Sequence, residues 1–313
     1  MFEAILKAIE THDTIIIHRH NRPDGDAMGS QVGLKYAILE NYPHKTVYMV
    51  GDAPGFFGFI NGAQVDEIPD ETYHDALAII LDSGSRHMIS DDRYTLAKTT
   101  VRLDHHIFCE KIADFEVIDT SFESCCGLIA EMIHQCGWKL NPVCATALYA
   151  GMVTDSGRFR YDGTTARTFR LASMLMEQPI DTNELFRNLY ADNFESKKLK
   201  ASFILKIQFT PNNVAFIYTT QEEFHALGMD TFTISRGMVN TMADIKGVDI
   251  WVNFTETEKG VLCELRSSKY NINPIAVKYG GGGHAKASGA TVADKEAAMA
   301  MLNDLDALIG ETP

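Results

Sequence analysis

Short apolar runs alternate with stretches of helical period through the first 190 residues. "TIIIHRH" (14–20) reads as a buried strand, "AMGSQVGLKYAILE" (27–40) as a helix and "KTVYMV" (45–50) as a second strand. "DALAIILD", "TTVRLDHH" and "ADFEVID" continue the strands, and helical patterns follow over 124–136 and 141–154. The opening "MFEAILKAIETHDT" has the spacing of an amphipathic first helix. Strands alternating with helices predict a doubly wound α/β domain with a mostly parallel sheet. Around 181–209 the pattern changes to a long, charged, helical segment, read as a connection whose linker spans 186–205. "NVAFIYTT", "VDIWVNFTET" and "GVLCELRSS" then read as strands, with helices over 234–245, 272–279 and 294–309. The predicted organisation is an α/β domain over 1–185, the linker, and a smaller α+β domain over 206–313.

Polar residues gather just past the C-terminal ends of the predicted strands: His20 to Asp26, then Asp82, then Asp104 to His106. Open α/β sheets bind ligands outside that edge. Three segments far apart in sequence are thus expected at one rim. His18 shares strand parity with His20 and could point the same way, although a packed role suits it better. Arg86 and His87 are read as surface or structural residues. Arg158 and Arg160 either hold an anion or brace the loop after Asp155.

Composition narrows the chemistry. The 313 residues carry a net charge of −14, with 45% hydrophobic and 22% charged residues. Such a balance describes a globular chain and disfavours a surface that coats long duplex nucleic acid, which is held largely by Lys and Arg on phosphates. It leaves room for a short anionic ligand at a local site. No run approaches the length of a membrane span, and the N-terminus lacks the marks of a secretory signal, so the expected location is the cytoplasm. The six cysteines form no Cys-x-x-Cys pair and read as free thiols in a reducing compartment.

His20, Asp24, Asp26, Asp82, Asp104, His105, His106 and Asp155 form a His/Asp set drawn from four separate places, with no matching nucleophile arrangement. Imidazole mixed with carboxylate suits Mn²⁺, Fe or Zn²⁺ better than Ca²⁺. The donors exceed what one ion needs. Two ions sharing a bridging carboxylate, roughly 3.5–4 Å apart, fit better and would serve a displacement at phosphorus.

The segments "HNRPDGDAMGS", "LDSGS", "LDHH" and "VTDSG", in this order, resemble the four motifs of the DHH phosphoesterase superfamily. The late "RSS" and "GGGGHAKASGA" resemble its DHHA1 substrate-binding domain. The likeness covers nearly the whole chain and is greatest to the group of bifunctional oligoribonucleases (nanoRNases) and pAp phosphatases. It implies that His20 and Asp24 hold one metal, that Asp26, His105 and Asp155 hold a second, and that Asp82 bridges them. His106 would face the substrate phosphate, and Asp104 would orient a histidine by hydrogen bond. Mn²⁺ is the expected ion, with Mg²⁺ or Co²⁺ as substitutes.

The same likeness turns the glycine run Gly280–Gly283 from a flexible linker into a phosphate site. Consecutive glycines can turn backbone N–H groups onto an anion, and arginine grips phosphate through paired hydrogen bonds. Gly281, Gly282, Gly283, His284, Arg266 and Ser267 are the expected substrate-binding residues, holding the end remote from the metals across a cleft between the domains. The implied substrates are short RNA oligonucleotides and 3′-phosphoadenosine 5′-phosphate (pAp). Polyphosphate, or linear dinucleotides from cyclic-dinucleotide pathways, are the alternatives. A homodimer is compatible with the resemblance. A non-catalytic binder would be favoured only if ligand positions were lost, and none is.

Overall fold

The computed structural model describes residues 1–310, so the last three residues of the expected 206–313 domain lie outside the described residues. The chain divides into two compact units, with the boundary between Ala191 and Asp192. No helix among the described residues is long and apolar enough to cross a membrane.

The first unit begins with α1 (Glu3–Thr11), β1 (Thr14–His18), α2 (Gly25–Asn41), β2 (Thr46–Met49), β3 (Leu77–Leu81), β4 (Thr99–Asp104) and β5 (Phe115–Ile118). The helices α3 (Cys125–Cys136), α4 (Pro142–Asp155), α5 (Ala166–Met176) and α6 (Thr182–Tyr190) follow. The five strands are all parallel, in the order β2-β1-β3-β4-β5. The strand order reverses between β1 and β3, which makes their C-terminal ends the switch point where such sheets bind ligands.

Strand alternation assigns the two faces. Ile15, Ile17, Leu77, Ile79, Leu81, Val101 and Leu103 bury themselves against α1 to α5. Ile16, Ala78 and Ile80 face the other way, against Tyr73, Ile89, Tyr94, Ile112 and Ala113. That second layer consists of short helical turns and loops instead of the long helices of the first. His18 lies in it, fully buried between Tyr73 and Tyr94, with Nδ1 3.1 Å from the carbonyl oxygen of Asp91. Its parity with His20 does not carry over, because His20 lies beyond the strand end.

Glycines set the helix packing. Gly25, Gly29 and Gly33 form a stripe along α2 facing α4. A Cβ at these positions would come within 2.4 Å of Thr154 Oγ1, the Ala147 carbonyl oxygen and the Leu148 side chain. Gly25 meets Thr154 near the end of α4, whereas Gly29 and Gly33 meet Ala147 and Leu148 in its first half, so the helices are antiparallel. The start of α2 therefore lies beside the end of α4. Gly25 belongs to the helix and not to the loop before it. It is the first residue of α2, which Asp24 caps by accepting the N–H groups of Asp26 and Ala27, both at 3.0 Å. The helix thus opens two residues before the expected start at Ala27.

The expected single connection over 181–209 is two helices. Asn193 caps α7 (Phe194–Ile204) by accepting the Ser196 N–H at 2.8 Å, and the chain breaks between Tyr190 and that cap. Leu185 and Leu189 of α6 pack in the first unit, Phe203 of α7 in the second.

The second unit adds β6 (Gln208–Phe209), β7 (Ala215–Thr219), α8 (Gln221–Leu227), β8 (Ile250–Thr257), β9 (Gly260–Ser267), α9 (Asn273–Lys278), β10 (Gly282–His284), β11 (Ala287–Val292) and α10 (Lys295–Gly310). Its sheet runs β10-β11-β9-β8-β7-β6, antiparallel except for β7 on β8. The helix expected over 234–245 is instead a π turn (Thr233–Gly237) followed by a 3-10 turn (Val239–Met242). There the apolar residues fill a small core beside β8 in place of a regular helical stripe.

Candidate metal centre

Three strand ends and one helix end converge on the site. His20, past β1, has Nδ1 2.7 Å from the Asn21 carbonyl oxygen. A carbonyl only accepts, so Nδ1 carries hydrogen and Nε2 is turned inward. It lies 3.6 Å from Asp24 Oδ1 and 3.5 Å from Asp82 Oδ2. His105 repeats the device with Nδ1 3.4 Å from the Phe122 carbonyl oxygen. Its Nε2 lies 3.7 Å from Asp26, 3.5 Å from Asp82 Oδ1 and 3.4 Å from Asp155.

Two donor sets that share no residue result, His20–Asp24–Asp82 and Asp26–His105–Asp155, with a third, Asp82–His105–His106, overlapping both; within each set the ligand atoms lie within 4.8 Å of one another. Asp82 stands between them, with one oxygen toward each histidine. It ends β3, is 2% exposed, and adopts φ 47°, a left-handed conformation that Asp tolerates better than most residues. Its N–H still bonds the Leu103 carbonyl oxygen at 3.1 Å.

Asp26 is almost completely buried, and both of its oxygens accept backbone N–H groups, from Cys125 at 2.7 Å and Cys126 at 2.9 Å. These are the first residues of α3, so a helix N-terminus steadies that carboxylate. The sequence reading gave the two cysteines no role beyond being buried thiols. Their contribution here comes from the backbone, and only the capping serine before the helix hints at it.

Electrostatics describe a site short of positive charge. Burial raises the Asp26 carboxyl well above its ordinary range, and Asp82 and Asp155 add to the shift. Asp155 is pushed up to about 7, first by burial, with Asp82 and Asp24 adding and His105 opposing. Burial opposes protonation of His20 and His105, yet their carboxylate neighbours bring each to about 10. Burial would raise Asp82, but the His105 and His20 rings beside it carry it below the carboxylate range. Asp82 Oδ1 is buried with no hydrogen-bond partner. An orphaned carboxylate oxygen between two imidazole–carboxylate sets fits divalent cations.

His106 is held differently. Asp104 Oδ1 lies 2.7 Å from its Nδ1 and accepts its backbone N–H at 3.2 Å. Asp104 is fully buried, whereas the His106 side chain is 42% exposed. With Nδ1 engaged, Nε2 is the ring atom left for a ligand.

Other candidates serve the scaffold. The Arg86 guanidinium donates to the Lys111 carbonyl oxygen at 2.6 Å and pairs with Glu110 at 3.4 Å. Arg158 stacks on Tyr190, 5.0 Å from the ring centre. It belongs to a left-handed turn, Gly157 to Phe159, that directly follows α4.

The remaining candidates lie in the second unit. The glycine run is not an open loop: Gly282–His284 pairs with β11 as a hairpin. A Cβ at Gly281 would sit 2.0 Å from the Gly289 carbonyl oxygen, and one at Gly283 would sit 2.6 Å from that of Ala287. A Cβ at Gly282 would meet nothing within 4 Å, and His284 is exposed. Arg266 pairs with Glu264 at 3.2 Å. Ser267 departs from its expected substrate role. It is buried, and its hydroxyl donates to the Asp249 carbonyl oxygen while accepting the N–H groups of Lys269 and Tyr270. That hydroxyl shapes the turn after β9. Asn273, which the sequence reading passed over, braces the hairpin by donating to the Gly283 carbonyl oxygen at 2.7 Å.

Residues 14–152 match the DHH family N-terminal domain, and residues 227–311 match the DHHA1 domain. The chain is 35% identical to the bifunctional oligoribonuclease and PAP phosphatase NrnA of Bacillus subtilis, over 98% of each protein. It is 34% identical to the protein of the same name from Mycoplasma genitalium, over 96% of this chain and 95% of that one. A crystal structure of an exopolyphosphatase-related protein from Bacteroides fragilis superposes with a TM-score of 0.86 at 25% identity, covering 99% of this chain and 97% of that one. From motif order, donor geometry and full-length similarity together, the chain belongs to the DHH family, with a DHH N-terminal domain followed by a DHHA1 domain.

Proposed function

We propose that this protein is a metal-dependent phosphoesterase. It hydrolyses short oligoribonucleotides to mononucleotides, and pAp to AMP and phosphate. The observation that carries this reading is the pair of His/Asp donor sets meeting at the orphaned Asp82 oxygen. The names of the full-length relatives supply the substrate class.

His20 and Asp24 would hold one ion, Asp26, His105 and Asp155 the other, with Asp82 shared. Mn²⁺ is the proposed ion, Mg²⁺ and Co²⁺ the substitutes. Such a pair supplies an acidified water and neutralises charge on the phosphoryl group. Asp104 holds the His106 ring so that Nε2 meets a phosphoryl oxygen, where a donated hydrogen bond stabilises developing charge. Arg266, His284 and the open face of Gly282 are the proposed substrate contacts of the second unit.

The test is product analysis on pAp, a labelled RNA dinucleotide, a longer RNA and polyphosphate, with and without Mn²⁺. Metal-dependent release of phosphate from pAp and of mononucleotides from the dinucleotide is expected. Dominant hydrolysis of polyphosphate would overturn the substrate assignment.

A further inference from the structure

Position 102 lies in the middle of β4, flanked by Ile80 of β3 and Glu116 of β5. An apolar residue would be the ordinary occupant of so central a site. Arg102 is there instead, with no exposed surface. Buried ion pairs rarely stabilise a fold more than a well-packed apolar pair would, so the charge calls for another explanation.

The contacts of the guanidinium supply one. One terminal nitrogen donates to Asp104 Oδ2 at 2.5 Å. The other reaches the Glu110 carbonyl oxygen at 3.2 Å and Glu116 Oε1 at 3.4 Å. Glu116 Oε1 also accepts the N–H groups of Ile112 and Ala113, at 2.7 and 3.2 Å. The two oxygens of Asp104 are thereby divided. Oδ2 is committed to Arg102, and only Oδ1 remains for the His106 ring and backbone. Without the arginine, the carboxylate could rotate and offer either oxygen, and the ring would follow. The same guanidinium ties down the far side of the 105–113 segment through the Glu110 carbonyl and Glu116.

We propose that Arg102 is a positioning residue for phosphoester hydrolysis, fixing through Asp104 the direction in which His106 presents Nε2. The inference rests on the role given to His106 in the proposed function. Arg102 touches neither substrate nor metal. It acts by removing freedom from the group that does. Lysine at this position would keep the charge but lack the planar fork that reaches Asp104 and Glu116 together.

A double-mutant cycle tests it on the full-length protein, with pAp as substrate and saturating Mn²⁺. Arg102→Lys is expected to lower kcat about 10- to 100-fold, the range for supporting partners of an active-site histidine, with KM and Mn²⁺ affinity by calorimetry little changed. In a His106→Ala background the same substitution is expected to cost nothing further, because the ring it positions is gone. In ¹⁵N-histidine spectra, Arg102→Lys is expected to move the His106 ring resonances while those of His284 stay in place. Equal losses in both backgrounds, unmoved His106 resonances, or a parallel loss of Mn²⁺ affinity would each overturn the proposal. Wild-type activity in His106→Ala alone would instead remove the role assigned to His106. If Arg102→Lys does not fold, Glu116→Gln, which loosens one side of the guanidinium, carries the same cycle and spectra.

Discussion

Single residues decide whether the site can hold charge. Asp82 ends its strand in a left-handed conformation, and one of its oxygens is buried without a partner. Asn tolerates the same backbone and nearly the same volume. Asp82→Asn is therefore expected to fold normally yet lose more than about 100-fold in metal-dependent hydrolysis, since a direct ligand matters more than its outer partners. A rise in melting temperature on adding Mn²⁺ is expected for the wild type and not for this variant. Gly282 poses a different question. Its neighbours Gly281 and Gly283 are glycines because backbone from β11 crowds them, but nothing in the fold crowds Gly282. If the open space serves a ligand, Gly282→Ala leaves the melting temperature unchanged and raises KM for pAp; an unchanged KM would count against that use. The acids and histidines at the strand ends were legible in sequence because apolar runs mark those ends so clearly. The full engagement of Ser267 and the clamp around Arg102 were not, since each depends on how the chain brings its partners together in space.

At the scale of elements, the packing of α2 on α4 brings Asp24 and Asp26 next to Asp155. The stripe Gly25, Gly29, Gly33 removes three Cβ atoms of α2 from the contact, so the backbones approach closely. Gly29→Ala would press a methyl against the Ala147 carbonyl oxygen. Overpacking of this kind costs about 1–3 kcal/mol, and a lowered urea midpoint together with weakened Mn²⁺ binding is expected. Full metal affinity in a destabilised variant would separate the packing from the site. Four-residue glycine spacing is visible in the sequence, but its meaning depends on which helix lies opposite. The split of 181–209 into two helices has a similar cause. Helical periodicity runs through both halves, and the side-chain cap at Asn193 interrupts it locally. The glycine run became a hairpin strand because β11 was there to pair with it.

Across the whole molecule the net charge is −14, and four aspartates meet at this one site. Without metal, protons are the only mobile positive charge available there. The Asp155 carboxyl at about 7 and the His20 and His105 rings at about 10 all bind protons more tightly folded than unfolded. Their contribution to stability is present at lower pH and is lost as pH rises through those values. The chelated protein is therefore expected to lose melting temperature between about pH 4 and pH 10, with Asp155 acting over the lower half of that window and the two histidines over the upper half. Saturating Mn²⁺ should flatten the dependence, because the ions replace the protons. A chelated protein whose melting temperature is flat over that window, or rises, would contradict this account of the site.

Some properties follow from local chemistry alone. Apolar runs of strand length, helical periods between them, and acids and histidines at the strand ends are written residue by residue, and they foretold a parallel α/β unit with a His/Asp rim. The pattern beyond residue 206 foretold a smaller α+β domain, and the resemblance of ordered motifs gave its kind. Tertiary structure decided what depends on contact between segments far apart in the chain: which carboxylate oxygen is left without a partner, which serine is consumed by a turn, which glycines are needed by a neighbouring backbone, and which buried arginine holds an aspartate beneath a histidine. Burial and hydrogen-bond geometry are relations between segments, and a single chain read in order carries no distances.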